Sequence, residues 1–309
     1  MPNPRPALLA LMIALGLATP ALAAPAPGKL DPTPRIAVIS AFAPELIELR
    51  AAVAHPRAVS VNGVSFILGS IGGKPVVLFE SGMSLVNAAM NTQLALDRFM
   101  VTRIVFSGVA GGADPDLKLG DVVVPDRWAQ YLEASFARAD GAGFVPPGFD
   151  DGPTVANYGM IFPHAVEVRR AGDAKPGRKL WFAADPAMLA TAKTALAGLA
   201  LDRCVGTVCL ASAPRVKVGG AGVSGTVFMD NAAFRAYLAK TFEAEAIDME
   251  TAGVAQVAYA NGTPFLGFRA LSDLAGADPG PNPVFRYLGV AAHNSAKTVL
   301  AFIRAWPGA

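Results

Sequence analysis

The amino-acid sequence predicts an α/β fold of three layers, with a central mixed, largely parallel sheet covered by helices on both faces. Three observations carry that expectation. Short runs of branched apolar residues recur along the chain, helical periodicities separate several of them, and a strand, a helix and a strand follow at crossover spacing between residues 75 and 107. A crossover joins parallel neighbours, and parallel strands need cover on both faces.

The fold opens at residues 35–40, an unbroken apolar run that follows Pro25, Pro27, Pro32 and Pro34 and reads as a buried strand. Residues 59–68 and 75–79 are short and rich in β-branched side chains, with Gly69, Gly72 and Gly73 between them as turn signals, which predicts a hairpin. Across 84–99, Val86, Ala89, Leu94, Leu96 and Phe99 recur at helical spacing, and a strand follows at 103–107. Residues 231–241 and 249–260 read as helices, 264–268 as a buried strand, and 291–306 as a closing amphipathic helix. Between them, 128–178 is rich in Gly, Pro and Asp with scattered aromatics; it predicts a long insertion or lid that helps to shape a pocket.

Ahead of the fold, Arg5 precedes the apolar run 7–18, and the segment ends on Ala21, Leu22, Ala23 and Ala24. That is the pattern of a cleavable signal peptide over residues 1–24, which leaves 25–309 as a single domain and places the mature chain outside the cytoplasm, in the periplasm. Gly16 and Pro20 interrupt the run, which is shorter than the ~20 apolar residues a membrane span needs. No later apolar run of spanning length lacks charges or turn residues, so the membrane is not an expected partner after cleavage.

Composition narrows the function further. Of 309 residues, 53% are hydrophobic and 16% charged, which argues against disorder. A net charge of +2 without a basic stripe excludes nucleic acid as an expected partner. Thiols tend to be oxidised outside the cytoplasm, so Cys204 and Cys209 read as a disulfide that staples a short loop, worth about 2 kcal/mol. A metal site and a redox pair are the rival readings; His55, His164 and His293 do not stand at zinc-ligand spacing from the cysteines, so no metal or other cofactor is expected.

In open α/β sheets, ligands bind beyond the carboxyl ends of strands. The candidates are therefore Glu45 after the first strand, Ser81 and Gly82 after the third, the glycine-rich stretch 107–112 with Gly108 and Ala110, and Ser272 with Asp273 beyond Arg269. Asp248, Met249 and Glu250 at the start of an apolar helix make a fifth place. Taken singly, each has a plain structural reading, since glycine after a strand makes a tight turn and a carboxylate there caps a helix or answers its dipole.

Together these residues resemble the nucleoside phosphorylase and nucleosidase superfamily, and within it the 5′-methylthioadenosine/S-adenosylhomocysteine nucleosidases. The resemblance runs from Arg35 to Trp306 in the family's order. Residues 39–45, ending in Glu45, resemble the first-strand motif whose glutamate activates water, and 107–112 with 119–124 behind it resemble the glycine signature. Residues 223–229, with Phe228 and Met229, resemble the base-binding stretch; Asp248, Met249 and Glu250 resemble the ribose-binding stretch; and 269–273 resemble the segment bearing the purine acid. Pro44 beside Glu45 and Thr226 in the base-binding stretch depart from the small cytosolic nucleosidases. The insertion and the cysteine pair resemble exported bacterial members and the plant bark and vegetative storage proteins.

The resemblance implies a phosphorylase-like fold, a homo-oligomer and a purine nucleoside as ligand. It also implies roles. Glu45 takes a proton from water held with the help of Ser81 and Arg269, Glu250 binds the ribose hydroxyls, and Met249 packs on the sugar. Asp273, beside Ser272, protonates N7 of the leaving purine; Phe228 stacks on the base, and backbone groups near Met229 read its edge. These residue types suit the reaction, because cleavage places positive charge on the sugar and negative charge on the base. An ordinary Asp titrates near ~3.9, so a donor at neutral pH needs a desolvated site.

Hydrolysis is favoured over phosphorolysis, because Arg269 is the one cation close to the motifs and Glu45 repels phosphate. From another class, a non-catalytic exported storage or nucleoside-binding protein predicts the same pocket without turnover. A dehydrogenase and a serine hydrolase are disfavoured, because neither G-x-G-x-x-G in a strand-to-helix setting nor G-x-S-x-G occurs.

Overall fold

The computed structural model describes residues 28–148 and 155–308, so the leader assigned to 1–24 lies outside the described residues. Twelve strands form one mixed sheet: β1 (Asp31–Ser40), β2 (Ala54–Val61), β3 (Val64–Ile71), β4 (Lys74–Glu80), β5 (Phe99–Gly112), β6 (Val122–Val124), β7 (Arg127–Gln130), β8 (Phe182–Ala183), β9 (Val216–Val218), β10 (Ala221–Ser224), β11 (Ala244–Asp248) and β12 (Phe265–Asp273). Among the described residues six helices accompany them: α1 (Ala43–Ala51), α2 (Leu85–Arg98), α3 (Pro186–Ala195), α4 (Ala232–Thr241), α5 (Thr251–Asn261) and α6 (Val284–Ala305).

The main strand order is β8-β7-β10-β11-β5-β1-β4-β3-β2, and β12 pairs with both β5 and β6. At its centre β1 runs parallel to β4 and β5, and β5 parallel to β12. Successive side chains of a strand point to opposite faces, and here both faces are apolar. Ala37 and Ile39 of β1 and Val77 and Phe79 of β4 join the core under α2 and α5, whereas Ile36, Val38, Val76 and Leu78 join the core under α1, α3 and α6. This two-sided burial makes the three layers and explains why these strands read as continuous apolar runs rather than alternating ones.

Several boundaries differ from expectation. The run 59–68 holds two strands, because Asn62 and Gly63, with φ of 50° and 79°, turn the chain between β2 and β3. β3 and β4 form the expected hairpin through Gly72 and Gly73, while Gly69 lies inside β3. α6 starts at Val284, seven residues before the expected 291. Arg127–Gln130 belongs to the central sheet, so the departure expected from 128 begins after Gln130. It consists of short antiparallel ladders, among them Ala134–Phe136 with Ile161–Pro163 and Val166–Val168 with Gly177–Lys179. Two of its aromatics, Tyr131 and Tyr158, pack against Phe234 of α4, with ring centroids 5.9 and 4.7 Å away. Cys204 and Cys209 are disulfide-bonded, and no described helix is long and apolar enough to cross a membrane.

Candidate active site

The carboxyl ends of β1, β5, β11 and β12 contribute to one cleft of about 240 Å³. Glu45, Glu250 and Asp273 all line it, although they lie far apart in sequence.

Glu45 enters from the first turn of α1, where Pro44 is the second helical residue and a negative charge is favoured by the helix dipole. Its carboxylate reaches back to the strand ends, as the third-position glutamate of a capping box does. Oε2 accepts the Ala41 amide at 2.8 Å and Oε1 accepts the Val109 amide at 2.7 Å. Burial raises its pKa above the ordinary glutamate value, against the opposing pull of Arg269 and of the Val109, Ala41 and Phe42 amides. Gly108 is required by close approach: a Cβ there would sit 1.6 Å from Arg269 Nη1 and 2.7 Å from Glu45 Oε1.

Glu250 stands at the junction of β11 and α5. Its Oε1 accepts the amide of Ser84, whose left-handed φ of 77° turns that N–H toward it. Burial and the nearby Asp248 carboxylate push its pKa up to about 7. Asp248 itself starts the helix: Oδ1 accepts the amides of Glu250 and Thr251, each at 3.2 Å, and the Ser224 hydroxyl. Its other oxygen lies 2.6 Å from Arg269 Nε and accepts the Thr251 hydroxyl.

Asp273 ends β12. Oδ1 accepts the Ala275 amide at 2.9 Å, and Ser272 Oγ donates to Oδ2 at 3.0 Å. Burial raises its pKa above the ordinary value despite the hydrogen bonds from Ala275, Ser272 and Asn282. A group held this way keeps its proton to higher pH than a solvated aspartate does, as the donor to a leaving base must.

Above these acids the wall is apolar. Phe42, Met83, Val227 and Phe228 line it together with Val284 and Phe285 from the first turn of α6. Phe228 is 55% exposed and Phe285 90% exposed, so both stand at the rim. Among the described residues no Lys, Arg or His lines the cleft.

Of the residues the sequence singled out, Glu45, Ala110, Phe228, Met229, Met249, Glu250, Ser272 and Asp273 meet at this cleft. Ser81, Gly82, Gly108 and Arg269 do not line it. Ser81 is fully buried with its hydroxyl donated to the Gly82 carbonyl at 2.9 Å, and Arg269 lies buried behind the floor between Asp248, Thr251 and Phe106. The insertion, expected to shape the pocket, contributes no lining residue among those described; its Tyr158 is turned onto Phe234 of α4 instead. Sequence reasoning left Asp248 without a role and did not find Phe42, Met83 or Phe285. The Pro283 that precedes α6 was the available signal for Phe285.

Comparison with known proteins agrees with this geometry. The family model described as "Phosphorylase superfamily" matches residues 35–304. The chain is 31% identical over 269 residues to a 5′-methylthioadenosine/S-adenosylhomocysteine nucleosidase of Marinomonas sp. (strain MWYL1), covering 87% of this chain and 98% of the relative. Among solved structures, the nucleosidase of the same name from Neisseria meningitidis, in complex with methylthio-immucillin-A, superposes with a TM-score of 0.65 at 28% identity and covers 88% of this chain and 99% of that one. The Colwellia psychrerythraea 34H nucleosidase in complex with adenine gives a TM-score of 0.65 at 25% identity, with 88% and 95% covered.

Proposed function

This chain belongs to the phosphorylase superfamily, and from that premise we propose that it is an N-glycosyl hydrolase that cleaves purine nucleosides of the 5′-methylthioadenosine/S-adenosylhomocysteine type into free base and sugar. The observation that carries this reading is the joining of three buried carboxyl groups with an apolar wall in a single cleft.

The reaction divides among them. Glu45 takes a proton from the attacking water; its raised pKa makes it a stronger base than a solvated glutamate, and general-base help of this kind contributes roughly 10² to 10⁴-fold. Glu250 binds the ribose hydroxyls, and its negative charge favours the positive sugar as the bond breaks. Met249 packs beneath that sugar. Asp273, protonated through burial, gives its proton to N7 of the leaving purine, and Phe228 stacks on the base.

Water is preferred over phosphate as nucleophile because acids line the cleft and repel phosphate, while Arg269, the cation behind its floor, is already paired with Asp248. The apolar wall around Phe42, Met83 and Phe285 suits a small thioether at the 5′ position better than a charged tail. A second copy of the chain would cover α2, where Val86 and Met90 are 74% and 57% exposed, and light scattering of the wild type beside Val86→Glu reads that directly. The leader pattern over residues 1–24 supports export of the mature protein to the periplasm, which N-terminal sequencing of periplasmic fractions checks.

The test is a panel of purine nucleosides assayed for free base with and without phosphate. Release that is independent of phosphate is expected; release that requires phosphate contradicts hydrolysis, and binding without release points to a storage or binding protein.

A further inference from the structure

Arg269 is fully buried, yet its guanidinium is held by one edge. Nε donates to Thr251 Oγ1 at 2.9 Å and lies 2.6 Å from Asp248 Oδ2, while Nη2 donates to the same hydroxyl at 2.7 Å and approaches Glu250 Oε2 at 3.9 Å. The Phe106 ring lies 4.1 Å from the guanidinium carbon and fixes its plane. The opposite corner, Nη1, has no hydrogen-bond partner among the described residues. That corner points past Gly108: the place a Cβ would take there is 1.6 Å from Nη1 and 2.7 Å from Glu45 Oε1. A buried N–H without an acceptor is unfavourable, so an oxygen that arrives beside Glu45 is favoured at this corner.

The Thr251 side chain has the shape for a clamp. β-Branched side chains are stiff about the first torsion. Its methyl packs against Gly267, where a Cβ would come within 3.1 Å, and its hydroxyl donates to Asp248 Oδ2 while accepting both Arg269 bonds. The Thr251 amide already serves the helix start through Asp248 Oδ1, so the hydroxyl is not needed for that task.

We propose that Thr251 is a positioning residue for Arg269: its hydroxyl, oriented by Asp248, holds the Nε and Nη2 edge so that Nη1 meets the oxygen nucleophile next to Glu45. The proposal rests on the nucleosidase reading, with water as the oxygen that Nη1 meets.

Thr251→Val keeps the shape and removes the hydroxyl, and Thr251→Ser keeps the hydroxyl. Thr251→Val is expected to lower kcat on the order of 10 to 100-fold with KM within about threefold, while Thr251→Ser stays within a few fold of the wild type. The acid limb of the kcat profile should also move to higher pH in Thr251→Val and not in Thr251→Ser, because the Arg269 charge that draws the Glu45 pKa down loses the hydroxyl that aims Nη1 toward Glu45. Adenine binding by calorimetry and thermal melting report folding; if the valine variant does not fold, Thr251→Ala takes its place with the same readouts. A wild-type enzyme that releases base while the hydroxyl-less variant matches its kcat and pH profile overturns the positioning role alone. Equal loss in the serine and valine variants overturns it as well. A wild type that releases no base sinks the nucleosidase reading, and this proposal with it.

Discussion

At the floor of the cleft Glu45, Glu250 and Asp273 are buried, and each carboxylate accepts at least one backbone N–H; at the rim Met83, Phe228 and Phe285 stand largely in solvent. The donors of the floor are held in the fold, Ala41, Val109 and Ala275 in or just beyond strands of the sheet and Ser84 at the start of α2, and their hydrogen bonds partly offset the cost of burying charge. The rim gains its burial only when a base, a 5′ group or another chain covers it. Preorganisation for chemistry is thus built into one chain, whereas affinity depends on surfaces completed by what arrives, and substitutions in the two regions should fall on different kinetic constants.

The largest effect belongs to the floor. Glu45→Gln should lower base release by about 10² to 10⁴-fold with little change in KM. It should also remove the acid limb: Glu45 must be ionised to act, its pKa is raised, and activity therefore falls with decreasing pH sooner than a solvated glutamate would dictate. A variant that keeps wild-type kcat would remove Glu45 from the mechanism.

Asp273→Asn comes next, with a loss well over tenfold, because amide nitrogen cannot replace an acid at N7. Asp273 acts while protonated, so wild-type activity should decline as pH rises through its raised pKa, and the variant should lack that alkaline limb. An unchanged alkaline limb in the variant would reassign the donor.

Glu250→Gln separates function from stability. Activity should drop at least tenfold, yet the protein should melt higher. A carboxyl whose folded pKa is raised contributes stability that is complete below its unfolded value and is lost as pH rises through about 7, so the gain appears at and above neutral pH and amounts to at most about 3 kcal/mol. Melting curves that coincide above pH 7 would show that Glu250 is not destabilised by its surroundings.

The smallest effect belongs to the rim. Phe285→Ala should raise KM about three- to tenfold and leave kcat within about twofold, as expected for a contact made equally in the ground and transition states. A kcat loss as large as that of Asp273→Asn would erase the division between the two regions.

The same division describes what could be read from residues alone. β1, β5 and β12 were legible because burial on both faces leaves uninterrupted apolar runs, and α4 because Asn231 caps it through its side chain to the Phe234 amide at 2.9 Å. α1 and α3 went unnoticed although Pro44 and the Asp185-Pro186 pair marked their starts, since short helices with few apolar turns give weak periodicity. Glu45 and Asp273 were legible through their position after strands, and Glu250 through its place at the start of an apolar helix. Arg269 was expected in the cleft and does not line it, because a sequence does not show that Asp248 and Thr251 hold it buried behind the floor with Nη1 turned past Gly108 toward Glu45. Of the rim, Phe228 was legible, whereas Met83 and Phe285 were not: they are apolar residues near turns, and their meeting depends on the way α6 folds back over the sheet.

The central assertion, that Glu45 delivers water to the sugar, is tested most directly by running the reaction in ¹⁸O-water and weighing the products. The account predicts one heavy oxygen on the released sugar in the wild type, at a rate that collapses in Glu45→Gln. A sugar without the label, or a sugar phosphate formed only when phosphate is present, would contradict it.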